Sequence, residues 1–281
     1  MESIVDFIPK LQSTTVAFGR FDGVHLGHRE VIRKLATYDN PVLLSFADNS
    51  NKIVYTEEEK KYVLKTLGIE NIISVNSEVY DTMELSDFVR ELLIGRLGAR
   101  TIVIGENYDK LDELKRVCIE TGIELEIVPT VKIDGIEVTT ALVRNYFQKS
   151  NMNECLRILG GSYVMIGPIV HGKGEGRKHA MPTANLRFSE NKLWPIHGVY
   201  GTNVCIDGNM WKGMTNIGLR PSDDSILIPT CETYILDFNG DLYGKTLILE
   251  AFTYLRPVMH FKNLDEVRAQ IDKDISICRH I

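Results

Sequence analysis

Two histidines three residues apart, His25 and His28, flank Gly27 in the run Phe18-Gly19-Arg20-Phe21-Asp22-Gly23-Val24-His25-Leu26-Gly27-His28. At the first turn of a helix that spacing sends both imidazoles to one side. Protonated, or as neutral N–H donors, they could stabilise the charge that develops when an α-phosphate is attacked. The flanking sequence fits such a site. An apolar β-type run, Thr14 to Phe18, leads in, and a helix-like stretch from Glu30 to Leu35 leads out. A helix N-terminus offers free N–H groups and partial positive charge. Gly19, Gly23 and Gly27 let backbone approach a polyphosphate closely, so these glycines with Phe21 and Asp22 form a candidate nucleotide-binding corner. A bare His-x-Gly-His also fits two surface histidines in an ordinary turn; the preceding strand and Gly-x-Phe-Asp-Gly argue for the corner.

A second constellation lies downstream. His171-Gly172-Lys173-Gly174-Glu175-Gly176-Arg177 is glycine-rich and basic, so Gly172, Gly174, Gly176 and Arg177 are candidates to curl around phosphates. Thr183 and Asn185, at i and i+2, share one side of an extended chain. Their neutral oxygens suit Mg²⁺, which takes few protein ligands and completes its octahedron with phosphate and water. Thr215 to Ser222 reads as a polar, cationic loop containing Asn216 and Arg220. Glu232 is expected to open a strand running to Phe238, where a carboxylate near a metal–phosphate site is a natural base for a substrate hydroxyl. Gly244-Lys245-Thr246 echoes the end of a P-loop but lacks the upstream glycine and following helix, and reads as part of a hairpin.

These residues need elements to hold them. From residue 14 to about 130, strand-like and helix-like segments alternate: strands at 42–46, 71–75, 100–105 and 124–128, and helices at 57–67, 86–97 (Ser86 as N-cap) and 111–120 (closed by Gly122). This order predicts an α/β fold with a doubly wound parallel sheet, which binds ligands beyond the carboxyl ends of its strands. Residues 141–159 read as one or two helices broken near Ser150-Asn151. From Tyr163 onward, short β-type runs separated by Gly, Pro, Asn and Asp predict a small antiparallel barrel or sandwich, with Asn239-Gly240 as a hairpin turn. A final helical period spans 263–275. The predicted domains are 1–158 and 159–281.

Bulk properties narrow the class. With 281 residues, 44% hydrophobic and 25% charged, the chain has core material for about two domains. A net charge of -6 argues against binding a nucleic-acid backbone. No apolar run reaches the ~20 residues of a membrane span, and the N-terminus does not read as a signal peptide. The five cysteines are far apart, without zinc spacing or a disulfide framework, which suits a cytoplasmic location.

The eleven-residue run around His25 and His28 resembles the nucleotidylyltransferase superfamily in the version found in prokaryotic FAD synthetases. The second half resembles riboflavin kinase through Gly172-x-Gly174-x-Gly176-Arg177, Pro182-Thr183-Ala184-Asn185, Gly198-Val199-Tyr200, Asn216-Ile217-Gly218-x-Arg220-Pro221, Glu232 to Phe238, Leu242 to Lys245, Leu255-Arg256-Pro257 and Phe261. Together they are similar to the bifunctional riboflavin kinase/FAD synthetases over almost the full chain. The resemblance implies a nucleotidylyltransferase-like domain and a riboflavin-kinase-type barrel, with ATP, riboflavin, FMN and FAD as substrates or products and Mg²⁺ as cofactor. It implies Glu232 as base, Thr183 and Asn185 on Mg²⁺ and the ATP phosphates, Asn216 and Arg220 toward flavin, a Gly172–Arg177 flap, and His25, His28 and Arg144 on the phosphates of a second ATP.

Departures cluster in the first half. Arg20 replaces the usual asparagine, Phe46-Ala47-Asp48-Asn49-Ser50 replaces Phe-x-Pro-His-Pro, and Gly105-Glu106-Asn107-Tyr108 shortens Gly-x-Asp-Phe-x-Phe-Gly, with the loop after it deleted. Thr139-Thr140-Ala141 replaces Ser-Ser-Thr. In the kinase half, His179-Ala180-Met181 and Ser222 depart slightly. Three readings stay open here: a bifunctional enzyme with weak FAD synthesis, a riboflavin kinase with a degenerate first domain, and a non-enzymatic flavin- or nucleotide-binding regulator.

Overall fold

The computed structural model describes residues 8–47, 52–149, 151–160, 163–170, 183–221, 227–242 and 244–280. It divides into two compact units, Met1–Val143 and Arg144–Ile281.

The first unit runs β1 (Thr14–Gly19), α1 (Leu26–Leu35), β2 (Pro41–Ala47), α2 (Glu57–Thr66), β3 (Asn71–Asn76), α3 (Ser77–Thr82), α4 (Leu85–Asp87) continued by a π-helical stretch (Phe88–Arg96), β4 (Ala99–Gly105), α5 (Leu111–Thr121), β5 (Glu124–Val128), the small hairpin β6 (Lys132–Ile133) and β7 (Ile136–Glu137), and the start of α6 (Thr140–Gln148). Five strands pair in parallel in the order β3-β2-β1-β4-β5. Val16, Ala17 and Phe18 on β1 and Val42, Leu43 and Leu44 on β2 are all buried, as strands covered on both faces require. Strand order reverses between β1 and β4, so the crevice for a ligand opens where Gly19 and Gly105 end those strands. One expected cap is corrected. The helix following β3 and α3 starts at Leu85, not after Ser86, and Glu84 precedes it without a side-chain cap.

The second unit contains α7 (Met152–Leu159), a closed antiparallel barrel, and α8 (Leu264–Cys278) packed on two of its strands. The barrel strands are β8 (Met165–Val170), β9 (Thr183–Leu186), β10 (Gly198–Ile206), β11 (Asn209–Pro221), β12 (Leu227–Ile235) and β13 (Thr246–Arg256), in the order β10-β11-β12-β9-β8-β13. Inside, the hydroxyls of Thr202, Thr215 and Thr233 form a buried chain with two 2.9 Å links. Arg256 reaches from β13 to the buried Asp274 of α8, with Nε and Nη2 at 2.9 and 2.8 Å from Oδ2. Such a two-nitrogen contact fixes orientation as well as charge.

Three expectations in this half are corrected. Residues 215–221 are strand, not loop, because they pair with β12 along their length. The β12 strand ends at Ile235, so Glu232 lies inside it rather than at its start. Asn239-Gly240 does not join a hairpin, since β12 and β13 pair with other neighbours. The tight turn is Asp207-Gly208, with φ of 49° and 81°, between β10 and β11. Two successive left-handed residues match the twist of the strands they join, and Gly208 takes that conformation without a steric penalty.

The second unit begins before residue 159. Phe147 packs edge-on against Tyr163, and Met152, Cys155, Ile158 and Leu159 are buried. The boundary at 158/159 is thus open to a direct test. A fragment of residues 144–281 should melt about 5 °C or more above a fragment of residues 159–281, since several kcal/mol of apolar burial is absent from the shorter one. Equal melting temperatures by circular dichroism would place the helices outside the folding unit.

Candidate active site

The corner after β1 is an unusual piece of backbone. Phe21 (φ 48°) and Val24 (φ 39°) both adopt left-handed conformations. For a β-branched valine this costs on the order of 1–3 kcal/mol, and it persists only where surroundings over-determine it. Here they do. The Val24 N–H donates to the Phe21 carbonyl (3.2 Å), and Arg29 Nε donates to the Val24 carbonyl (3.1 Å). The buried Asp22 carboxylate accepts from the N–H groups of Val54 (2.8 Å) and Tyr55 (3.1 Å). The Asp22 carbonyl accepts from the Thr140 hydroxyl at 3.2 Å.

This turn delivers the histidines. His25 caps α1, its Nδ1 accepting from the His28 N–H at 3.4 Å. The two imidazoles stack with centroids 3.7 Å apart, and the Phe21 ring lies 5.1 Å from His28. Gly27 leaves room beside that stack. A Cβ there would stand 3.1 Å from His25 Cε1 and 3.3 Å from the Val138 carbonyl. Burial pushes His25 down to about 4. His28 also lies well below the ordinary histidine range, first through burial and then through the charges of His25 and Lys60. Both rings are therefore neutral at pH 7, and His28 Nδ1 is buried with no hydrogen-bond partner among the described residues.

A cavity of about 320 Å³ opens on this corner. Gly19, Phe21, His25, Gly27 and His28 line one side; Gly105, Asn107 and Tyr108 line another. Thr139 and Thr140 line it at the start of α6, where Thr139 Oγ1 accepts from the Leu142 N–H at 3.1 Å. The N-terminal ends of α1 and α6 thus meet one cavity, an arrangement suited to an anion. Asp22 and Gly23 are not part of the lining; Asp22 holds the turn instead. Arg144 follows Thr140 on α6, is half-buried and falls in the second unit.

The departing segments meet in an aromatic group. Phe46 stacks on Tyr80 at 4.8 Å, Phe18 packs against Phe88 and Tyr108, and the Tyr80 and Tyr108 hydroxyls are hydrogen-bonded. Composition alone does not reveal Tyr80 or Tyr108 as neighbours, because the contact spans β3–α3 and the β4–α5 turn. Lys60 is a second residue that the motif reading passes over. It does leave a signal: Lys60, Val63, Leu64 and Leu67 recur at i, i+3, i+4 and i+7, so a lysine occupies an apolar-face position.

On the barrel, register brings three candidates into one row. Asn216 on β11 pairs with Glu232 on β12, and Glu232 pairs with Asn185 on β9. All three are half-exposed, while the alternate residues Thr215, Thr233 and Ala184 are buried. Thr183 stands two residues from Asn185 on the same face, opposite Tyr234. The side chain of Arg220, and Gly172, Gly174, Gly176 and Arg177, lie outside the described residues, as do His179 to Met181 and Ser222. The described residues hold no group of three or more His, Cys, Asp or Glu side chains arranged for a metal.

Comparison with known proteins follows this division. A riboflavin kinase family model matches residues 159–281, and an FAD synthetase model matches residues 8–142. A bifunctional riboflavin kinase/FMN adenylyltransferase of Pseudomonas fluorescens is 27% identical over 96% of this chain and 94% of its own. That of Listeria monocytogenes is 28% identical over 92% and 89%, and that of Escherichia coli K12 is 26% identical over 94% and 91%. A crystal structure described as a macrolide-efflux protein from Streptococcus pneumoniae superposes with a TM-score of 0.82 at 26% identity, covering 99% of this chain and 97% of that one. Among the described residues no helix is long and apolar enough to cross a membrane.

The depressed histidines give a pH test. A histidine buried neutral contributes stability that is complete above pH 6.5 and is lost as pH falls toward its folded value, about 4 for His25. That interval corresponds to about 3 kcal/mol from His25. NMR titration of the His25 ring should give a midpoint near pH 4, with stability of the first unit to urea falling between pH 6.5 and 4. A midpoint near 6.5 would show that the ring is solvated.

Proposed function

Because the chain belongs to the bifunctional riboflavin kinase/FAD synthetase family, we propose that it carries out both steps from riboflavin to FAD. The barrel transfers the γ-phosphoryl group of ATP to the 5′-hydroxyl of riboflavin, giving FMN. The parallel-sheet unit then joins FMN to the AMP part of a second ATP, giving FAD and pyrophosphate. The observation that carries the kinase assignment is the row Asn216–Glu232–Asn185, which sets a carboxylate between two amides on one exposed face.

In the kinase step Glu232 takes the proton of the riboflavin hydroxyl as the oxygen attacks phosphorus. Phosphoryl transfer otherwise needs positioning and charge neutralisation. Thr183 and Asn185 offer hard, neutral oxygens of the kind Mg²⁺ accepts, and would hold it together with the nucleotide phosphates. A bound Mg²⁺ would neutralise charge on the transferring phosphoryl group. The family resemblance assigns Asn216 and Arg220 to the flavin and the Gly172–Arg177 segment to the nucleotide.

In the adenylyl step the neutral His25 and His28 each bring one N–H to the α-phosphate corner, joined by the N-terminal ends of α1 and α6. Arg144 binds ATP phosphates, as the motif match implies. A triphosphate beside the rings favours their protonated forms. ATP binding at this corner therefore raises the pKa of both rings from their depressed values in the free protein.

Two substitutions separate the steps. Glu232→Gln should lower FMN formation by roughly 10²–10⁴-fold, as for a lost general base, while FAD formation from supplied FMN stays unchanged. His28→Ala should do the reverse. Chromatography of FMN and FAD in both variants checks this, and FMN formation at the wild-type rate in Glu232→Gln would remove it as the base.

In the wild type, FAD formation should be at least ~10-fold slower than FMN formation. The flavin-side segments depart from the family pattern, and a loss of about 1.4 kcal/mol in transition-state stabilisation is enough for that ratio. Equal, fast rates would show that the aromatic group around Tyr80 and Tyr108 replaces what those segments supply.

A further inference from the structure

Lys60 is nearly inaccessible, at 3% exposure, on the buried face of α2. An ammonium there is costly to desolvate, and a leucine or methionine would fill the position more cheaply. Its partners point to the corner rather than to α2's own stability. Nζ donates to the Arg20 carbonyl at 3.0 Å and to the buried Ser45 hydroxyl at 2.8 Å, and it pairs with Glu57 at 2.6 Å. The three ammonium protons thus meet three acceptors from three segments: the corner after β1, the end of β2, and the first turn of α2. The Arg20 carbonyl belongs to the peptide that enters left-handed Phe21, whose ring packs on His28. Helix α2 is fixed independently by the capping box of Thr56 and Glu59, so it serves as a firm anchor for the lysine.

We propose that Lys60 is a positioning residue for adenylyl transfer: from beneath the corner it clamps the Arg20 carbonyl and Ser45, and so holds Phe21 and His28 in place for the incoming α-phosphate. This rests on the assignment of FAD formation to the first unit. The lysine is not among the residues lining the cavity; it acts through the backbone of Arg20 and the hydroxyl of Ser45. Beside burial, the larger cause, the charges bearing on His28 are those of His25, which caps α1, and Lys60 on α2, and both hold it neutral.

The test uses the full chain, with riboflavin phosphorylation by the same preparation as an internal standard. Lys60→Met should lower kcat for FAD formation at least ~30-fold and leave KM for ATP within about threefold, with FMN formation unchanged. NMR should show the His28 ring titrating at higher pH than in the wild type, since the Lys60 charge that holds it down is gone. Glu57→Gln/Lys60→Met removes the carboxylate stranded by the single change and should show the same kcat loss. Wild-type kcat in either folded variant overturns the proposal. If neither folds, Ser45→Ala carries the test, since it keeps the ammonium and its ion pair; a kcat loss of about fivefold supports the clamp and an unchanged kcat overturns it. Should the wild type form no FAD at all, the assignment of the reaction fails; with FAD formed by the wild type, an unchanged kcat in the variants overturns the clamp alone.

Discussion

A buried carboxylate accepting two backbone N–H groups is the constraint on which the first unit depends. Asp22 satisfies the otherwise sequestered amides of Val54 and Tyr55, and its own carbonyl receives the Thr140 hydroxyl. Leaving two such amides unmade in the interior costs about 1–3 kcal/mol each. The same contact stations Thr56 to cap α2, and α2 in turn carries Lys60 back under Arg20. The path from Arg20 through Asp22, Tyr55 and Lys60 returns to its start. That closed circuit explains how valine and phenylalanine tolerate left-handed backbone in the two positions flanking Asp22 and Gly23.

The barrel solves a different problem. Its strands must bury one face completely and still present chemistry on the other, and alternation along a strand does both. Thr215 and Thr233 turn inward and satisfy each other's hydroxyls, while their neighbours Asn216 and Glu232 turn outward. Pairing on both sides fixes the position of Glu232 more firmly than a strand end would. Closure removes free edges, and the Arg256–Asp274 pair fastens α8 over the wall.

Much of this was legible in the residue order. Alternating apolar runs specify the parallel sheet because strands buried on both faces read as unbroken hydrophobic stretches, and the His-x-Gly-His spacing falls at the helix start it implies. The two-residue offset of Thr183 and Asn185 places them on one face as expected. Pairing partners were not legible. Asn239-Gly240 has the residue types of a hairpin but joins strands that are not neighbours, whereas Asp207-Gly208 joins strands that are. Turn chemistry is local and register is not. Glu232 begins the strand-like run in the sequence, yet Pro229 and Thr230 before it already lie in β12, opposite Leu219 and Gly218. Lys60 reads as a surface lysine until its helical phase is compared with that of the buried Val63 and Leu64.

The topology also sets an order of events during synthesis. Every strand of the parallel sheet has left the ribosome once Val128 emerges, and the β1–β4 pairing that joins its two halves can then form. The barrel must wait longer, because β13, the last of its strands, pairs with both β8 and β10. Closure of the barrel therefore comes after the first unit has all its strands available to fold. Until then β8 to β12 form an open sheet with unpaired edges at β8 and β10, the stage at which this chain is most exposed to aggregation.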